Sequence, residues 1–197
     1  MPNLPISQLP VADTPLDGSE LFVLVQDSTT KQTTFASVAS ASYEGNSYYG
    51  SFYHTASMNL LASGSIYSMS LSTTDFANGV SIGGASKSEI TFANPGVYDI
   101  QFSAQITKTS GTKSNVYIWL DQNGSSVPNT NTDVTLAGGS GDRVVAAWNF
   151  FVKTTTPNEY AKLMYAGTVG NVQFLYETGS GVIPAIPSLI VTVNRVG

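Results

Sequence analysis

Cysteine is absent from the 197 residues, which excludes a disulfide-stapled scaffold, thiolate metal sites and a cysteine nucleophile. Histidine occurs once, at His54, so no histidine pair can share a metal ion or relay a proton. Charge is scarce. Asp, Glu, Lys and Arg make up 11% of the chain, against roughly 25% in an average soluble domain. Ser, Thr, Asn and Gly take the polar positions instead, and such a surface suits strands and turns better than helices. The eight Lys and Arg are scattered and the net charge is −5. With no basic cluster to neutralise phosphates, no nucleic-acid partner is expected. There is no run of about 18 apolar residues, so no spanning helix and no membrane insertion are expected. The first residues, MPNLPISQLP, lack a basic stretch followed by an apolar core, so no signal peptide is expected. Helical periodicity of useful length and internal repeats are missing as well.

What the chain does have is strand pattern. Tyr98, Ile100, Phe102, Ala104 and Ile106 alternate with Asp99, Gln101, Ser103, Gln105 and Thr107, the period-two mark of a half-buried antiparallel strand. Val116-Tyr117-Ile118-Trp119-Leu120 does not alternate, so both of its faces need cover. It stops at Asn123-Gly124, whose residues tolerate the positive φ angles of a tight hairpin. Arg143 to Val152 is again apolar on both faces. A free monomer would expose several of these side chains as a patch of a size rare on soluble monomers. Tyr117, Trp119, Trp148, Phe150 and Phe151 are therefore expected in the core or at an interface between copies of the chain.

Two parts are expected, an N-terminal arm over residues 1–45 and a head over residues 46–197. Pro2, Pro5 and Pro10 favour an extended start. Glu20 to Gln26 reads as a short apolar strand, Asp27 to Thr30 as a turn, and Lys31 to Thr34 as a polar returning strand. Phe35 to Ala39 could make one helical turn. So small a hairpin cannot hold itself together in water. Leu21, Phe22, Val23, Leu24 and Val25 are expected to bury themselves on a partner. Residues 40–48, SASYEGNSY, read as a linker. Beyond it, strands are expected near 49–56, 65–71, 78–83, 87–92, 97–108, 114–122, 130–136, 143–153, 159–166, 171–177 and 188–196. That spacing predicts an all-β sandwich or jelly roll.

Phe92-Ala93-Asn94-Pro95-Gly96-Val97-Tyr98, followed by Phe102 and the Asn123-Gly124 hairpin, resembles the globular head of the tumour-necrosis-factor and complement-head superfamily. The resemblance runs over about residues 49–197. Gly96, Tyr98 and Phe102 match the family's core positions. The usual Gly-Asp turn is replaced by Pro157-Asn158-Glu159. The resemblance implies a ten-stranded jelly roll that assembles as a homotrimer. Separately, Ile6 to Pro10, Gly18 to Asp27 and Thr30 to Thr34 resemble the anchoring module at the start of phage tail-fibre and head-fibre proteins.

Together the two resemblances imply a phage virion surface protein. It is expected to be a homotrimeric capsid decoration or cement protein, anchored by its arm, with the head projecting outward. The alternative is a short tail fibre or receptor-binding protein for host attachment. No shaft separates arm from head, which favours decoration. The expected partners are sister subunits, capsid or tail proteins met through the arm and, for the tail-fibre alternative, a host surface glycan or protein.

No catalytic, cofactor-binding or metal-ligating residues are assigned, and no enzymatic activity is expected. His54 reads as structural. Gly139-Ser140-Gly141-Asp142 lacks the spacing of a nucleophile elbow. Asp75, Asp99, Asp121, Asp133 and Asp142 stand singly, without the spacing of a calcium loop. Tyr43, Tyr48, Tyr49, Phe52 and Tyr53 cluster near the linker, where packing between arm and head is expected over a sugar-binding shelf. Asn123-Gly124-Ser125 fits a glycosylation sequon but reads as a hairpin turn. Loops 78–90 and 125–142 are the expected contact loops.

Overall fold

A computed structural model describes residues 19–38, 48–60, 62–111, 113–168 and 171–197. The chain divides into two compact units, Met1–Ser47 and Tyr48–Gly197.

In the first unit, β1 (Leu21–Gln26) pairs antiparallel with β2 (Thr29–Thr34). Asp27 and Ser28 both take positive φ, 52° and 59°, the geometry of a two-residue hairpin turn. One helical turn follows over residues 35–38. The Thr34 hydroxyl caps it by accepting the Ser37 N–H at 3.1 Å. The composition of the hairpin is lopsided: β1 reads LFVLVQ and β2 reads TTKQTT. Leu21, Phe22 and Val23 are exposed by 63%, 45% and 75%, and Phe22 touches only the ring of Phe35 among the described aromatics, at 5.8 Å. The side chains of Leu24 and Val25 lie outside the described residues.

The second unit carries β3 (Tyr49–His54), β4 (Met58–Asn59), β5 (Tyr67–Ser68), β6 (Thr73–Asn78), β7 (Val80–Gly83), β8 (Glu89–Phe92) and β9 (Gly96–Lys108). It continues with β10 (Ser114–Gln122), β11 (Ser125–Ser126), β12 (Thr132–Leu136), β13 (Arg143–Thr154), β14 (Glu159–Gly167), β15 (Val172–Phe174) and β16 (Leu189–Arg195). One sheet runs β6-β3-β16-β9-β13, with β15 and β4 continuing beside the far end of β9. The other runs β7-β8-β14-β10-β12, with β5 beside β14 and β11 beside β10. The chain crosses between sheets from β8 to β9, from β9 to β10, from β12 to β13 and from β13 to β14. Early strands lie beside late ones, β3 against β16 and β8 against β14. This is an all-β jelly-roll sandwich.

The alternating residues of β9 set the core. Tyr98, Ile100, Phe102, Ala104 and Ile106 are buried against Val116, Ile118 and Leu120 of β10 and Leu163 and Tyr165 of β14. The Phe92 and Tyr98 rings pack at a tilt with centres 4.4 Å apart. Burial pushes the Tyr165 hydroxyl up to about 12. Asn123 and Gly124 take φ of 52° and 83° in the turn after β10.

Three details depart from the sequence reading. The inner residues of β10 alternate with Tyr117 and Trp119, so this strand has one core face and one outer face like its neighbours. A strand forms at Thr73–Asn78, where none was expected, because its pairing with β3 and not an apolar pattern holds it. The strand expected at 171–177 ends at Phe174 and leads into a narrow hairpin closed by the bridges Glu177↔Ile186 and Ser180↔Ile183.

Candidate interaction surface

The outer face of the β6-β3-β16-β9-β13 sheet is the least covered broad surface of the sandwich among the described residues. Cross-strand register places its side chains in rows. Ala147, Ser103, Ile190 and Tyr53 form one row; Asn149, Gln101, Thr192 and Ser51 form the next; Phe151, Asp99, Asn194 and Tyr49 form the third. The centre of the face is mainly polar, with Ile190 of β16 as the apolar exception, 40% exposed. Gln101 Nε2 and Asn149 Nδ2 each donate to the Asp99 carboxylate at 2.9 Å, which fixes all three side chains.

The two margins are apolar. On β13, Val145 and Phe151 are exposed by 55% and 66%. On the opposite side, Tyr49 packs edge-on against Phe76 at 6.0 Å, and Phe76 stays 58% exposed. Four strand spacings separate β13 from β6, so the margins stand about 19 Å apart.

The outer face of the other sheet is covered by its own side chains. Tyr117 lies opposite Ala166 and Asp133, and Trp119 opposite Met164. The Trp119 Nε1–H donates to the Ser126 hydroxyl at 3.0 Å. Lys162 pairs with Glu89 at 3.2 Å and sits over the Tyr160 ring. Tyr117 and Trp119 are thus half-buried without a second chain. Trp148 and Phe150 point into the sandwich, where both contact the Phe102 ring, at 4.6 and 6.0 Å. The Trp148 Nε1–H is buried and has no hydrogen-bond partner among the described residues. Phe151 alone of these five faces out on the open sheet.

The hairpin after β15 stands at one end of this open face. Arg143 donates to both oxygens of Glu177, at 3.0 and 2.6 Å. That pairing holds the Glu177 carboxyl below its ordinary value and raises Arg143. Beside the hairpin runs a groove of about 460 Å³, lined by Ser51, Tyr53, Asp75, Tyr176, Pro187 and Ile190 among others. At the hairpin tip, Val182 is 99% exposed and Ile183 63%.

The other residues weighed in the sequence are dispersed. Among the described residues no three of His, Asp and Glu lie together in a way that could hold a metal ion, and no helix is long and apolar enough to cross a membrane. The Ser140 hydroxyl donates to the Thr109 carbonyl and Asp142 accepts the Gly138 N–H, so this loop is folded on its own polar groups. Buried Lys108 donates to the Gly138 carbonyl beside it. The His54 Nδ1 is buried without a partner among the described residues, and burial lowers the pKa of the ring. Tyr43 lies outside the described residues. Phe76 and Ile190 were not singled out from sequence. Phe76 is the one large apolar residue of a polar strand and Ile190 sits inside the apolar run Leu189-Ile190-Val191, and only the fold brings them beside Tyr49 and Tyr53.

No family model matches the chain, and no curated protein matches its sequence. Among solved structures, Eiger TNF from S. frugiperda aligns with a TM-score of 0.49 at 8% identity, covering 77% of this chain and 94% of that one. Murine APRIL at pH 5.0 aligns with a TM-score of 0.47 at 6% identity, covering 76% and 99%. The globular domain of the zebrafish complement 1qA protein gives 0.42 at 10% identity, covering 75% and 94%.

Proposed function

We propose that this chain is a non-enzymatic structural protein of a phage virion, a homotrimeric capsid decoration protein whose jelly-roll head projects from the particle and whose N-terminal hairpin attaches it. The observation that carries the self-association is the placing of two separate apolar margins on opposite sides of one sheet face. A two-fold dimer can pair each margin with itself or with the other margin of its partner. A head-to-tail contact pairs the Val145 and Phe151 margin of one copy with the Tyr49 and Phe76 margin of the next, and it closes into a ring when its rotation is a whole fraction of a turn. The count of three comes from the resemblance of Gly96, Tyr98 and Phe102. Covering an exposed side chain of this size contributes about 1.5–3 kcal/mol. Four of them, already partly covered, supply on the order of 5 kcal/mol per contact, at the lower end of the association cost. The rest of the face must therefore pack as well.

The attachment role rests on the hairpin of the first unit. Its β1 strand carries exposed Leu21, Phe22 and Val23, and a two-stranded ribbon of this length is not stable alone. A partner that covers β1 supplies what the hairpin lacks. The alternative, a short tail fibre that contacts the host, is favoured by the resemblance of residues 6–34 to fibre-type anchors.

The test has two stages. Mass in dilute solution should be that of three chains, and Phe151→Asp should reduce it to one chain without unfolding the sandwich. Adding the protein to particles that lack it should then place many copies over the shell. Copies confined to the tail would favour the fibre, and no binding would remove the virion reading. A stable wild-type monomer at micromolar concentration would remove the trimer.

A further inference from the structure

The open face carries a projection and a recess side by side. The projection is the 177–186 hairpin. Its foot is fixed by the Arg143–Glu177 pair and the Glu177↔Ile186 bridge, and its end offers Val182 and Ile183 to solvent. The recess is the neighbouring groove, walled by Tyr53, Tyr176, Pro187 and Ile190, with Asp75 at its rim. Val182 and Ile183 are adjacent aliphatic side chains at the exposed end of the hairpin.

We infer that the tip of this hairpin seats in the groove of a second copy of the chain and sets the register of the ring. This rests on the self-association proposed above and names the contact that fixes its geometry. Three observations select a second copy as the occupant. Ser51, Tyr53 and Ile190 belong to the same outer face as the apolar margins, so a contact that buries a margin must also accommodate the projection beside it. Residues 178–186 carry no charge, which matches a groove walled mainly by apolar and aromatic side chains. An anionic lipid surface is a poor alternative, because the chain is net negative and Arg143, the basic side chain at the hairpin foot, is already paired with Glu177. A tip closed by the Ser180↔Ile183 and Glu177↔Ile186 bridges loses less conformational freedom on docking than an open loop would, which suits it to fixing register.

The absence of cysteine makes the test clean. Val182→Cys and Asp75→Cys are made as separate chains, co-expressed and oxidised. The expected result is a disulfide-linked pair in the mixture that neither single variant forms alone. A doubly substituted chain should give covalent species larger than a pair. Val182→Ser with Ile183→Ser should weaken the assembly by at least about tenfold while the melting of the dissociated sandwich stays unchanged.

If wild-type mass shows an oligomer but the mixture does not crosslink, or the serine variant dissociates as wild type does, the tip is not the key and the ring reading survives. If Val182→Cys links only to itself, the tips meet each other and the inference is overturned. Binding of wild type to phosphatidylcholine vesicles, lost in the serine variant, would reassign the tip to lipid. A monomeric wild type would sink the underlying association instead.

Discussion

The Tyr98 hydroxyl donates to the Asn94 carbonyl at 2.8 Å, so a ring buried in the middle of the sandwich holds the turn that opens its own strand. The same ring packs at a tilt against Phe92, and burial raises the pKa of the hydroxyl. Tyr98→Phe keeps the ring contact and removes the donor. It should cost about 1 kcal/mol, read as a lower denaturant midpoint with an unchanged slope. Tyr98→Ala removes both and should cost about 3–5 kcal/mol.

Gly96 sits where three backbones converge. A Cβ there would stand 2.7 Å from the Gly197 carbonyl and collide with the Arg195 side chain. The same carbonyl accepts the Val97 N–H at 2.7 Å. Gly96→Ala should therefore loosen the edge where β9 meets β16 and cost roughly 1–3 kcal/mol. At about 2–4 °C per kcal/mol for a domain of this size, calorimetry resolves the difference.

His54 should make the sandwich acid-sensitive well above the carboxylate range. Burial lowers its folded pKa below the ordinary 6.5, so the unfolded chain binds its proton more readily. The stability that depends on a neutral ring is fully present above pH 6.5 and is lost as pH falls below it. The melting temperature should decline between pH 7 and 5, and His54→Phe should flatten that decline. An unchanged pH profile in the variant would show that the ring titrates freely.

Glu159 gives a second window lower down. One of its oxygens accepts the backbone N–H groups of Thr155 and Thr156, each at 2.7 Å, and the other accepts Asn123 Nδ2 at 2.8 Å. These donors hold the carboxyl far below its ordinary 4.5. A depressed carboxylate contributes stability above pH 4.5 that is lost as pH falls toward the folded value. Glu159→Gln should melt a few degrees lower at pH 7, and the gap to wild type should narrow steadily below pH 4.5.

Removing residues 1–47 should leave a soluble, β-rich head. The core in the sandwich is built from residues 52 to 193, and the first unit has its own strands and its own turn. The same truncation should abolish attachment to particles, as should Phe22→Asp. Binding of the truncated head at wild-type level would move the anchor elsewhere.

The strands that read clearly from sequence are those whose pattern reports a single burial, above all β9 with its alternating Tyr98 to Ile106. The edge strand β6, TTDFAN, is invisible to periodicity because nearly all of it is exposed and its hydrogen bonds to β3 hold it in place. Apolar runs are ambiguous in a different way. Tyr117 and Trp119 belong to a run that reads as apolar on both faces, but in the sheet they lie on the outer face, where Met164, Ala166 and Ser126 give them partial cover. Phe150 and Phe151 are adjacent and chemically identical, and only the pairing of β13 with β9 decides which one enters the core. The proposed interaction surface combines residues from positions 49, 76, 145 and 151, so no local motif could announce it.

The twelve residues of β13 pair along one side with β9 and, among the described residues, with no strand along the other. Such an edge is a template for indiscriminate strand addition, guarded here by Arg143 and Lys153 near its ends. Under the proposed self-association, a newly made subunit presents this edge until it meets other copies. Assembly would then be a race between ordered ring closure and irregular stacking. Slow, dilute synthesis should favour soluble protein, and rapid overproduction should drive it into aggregates.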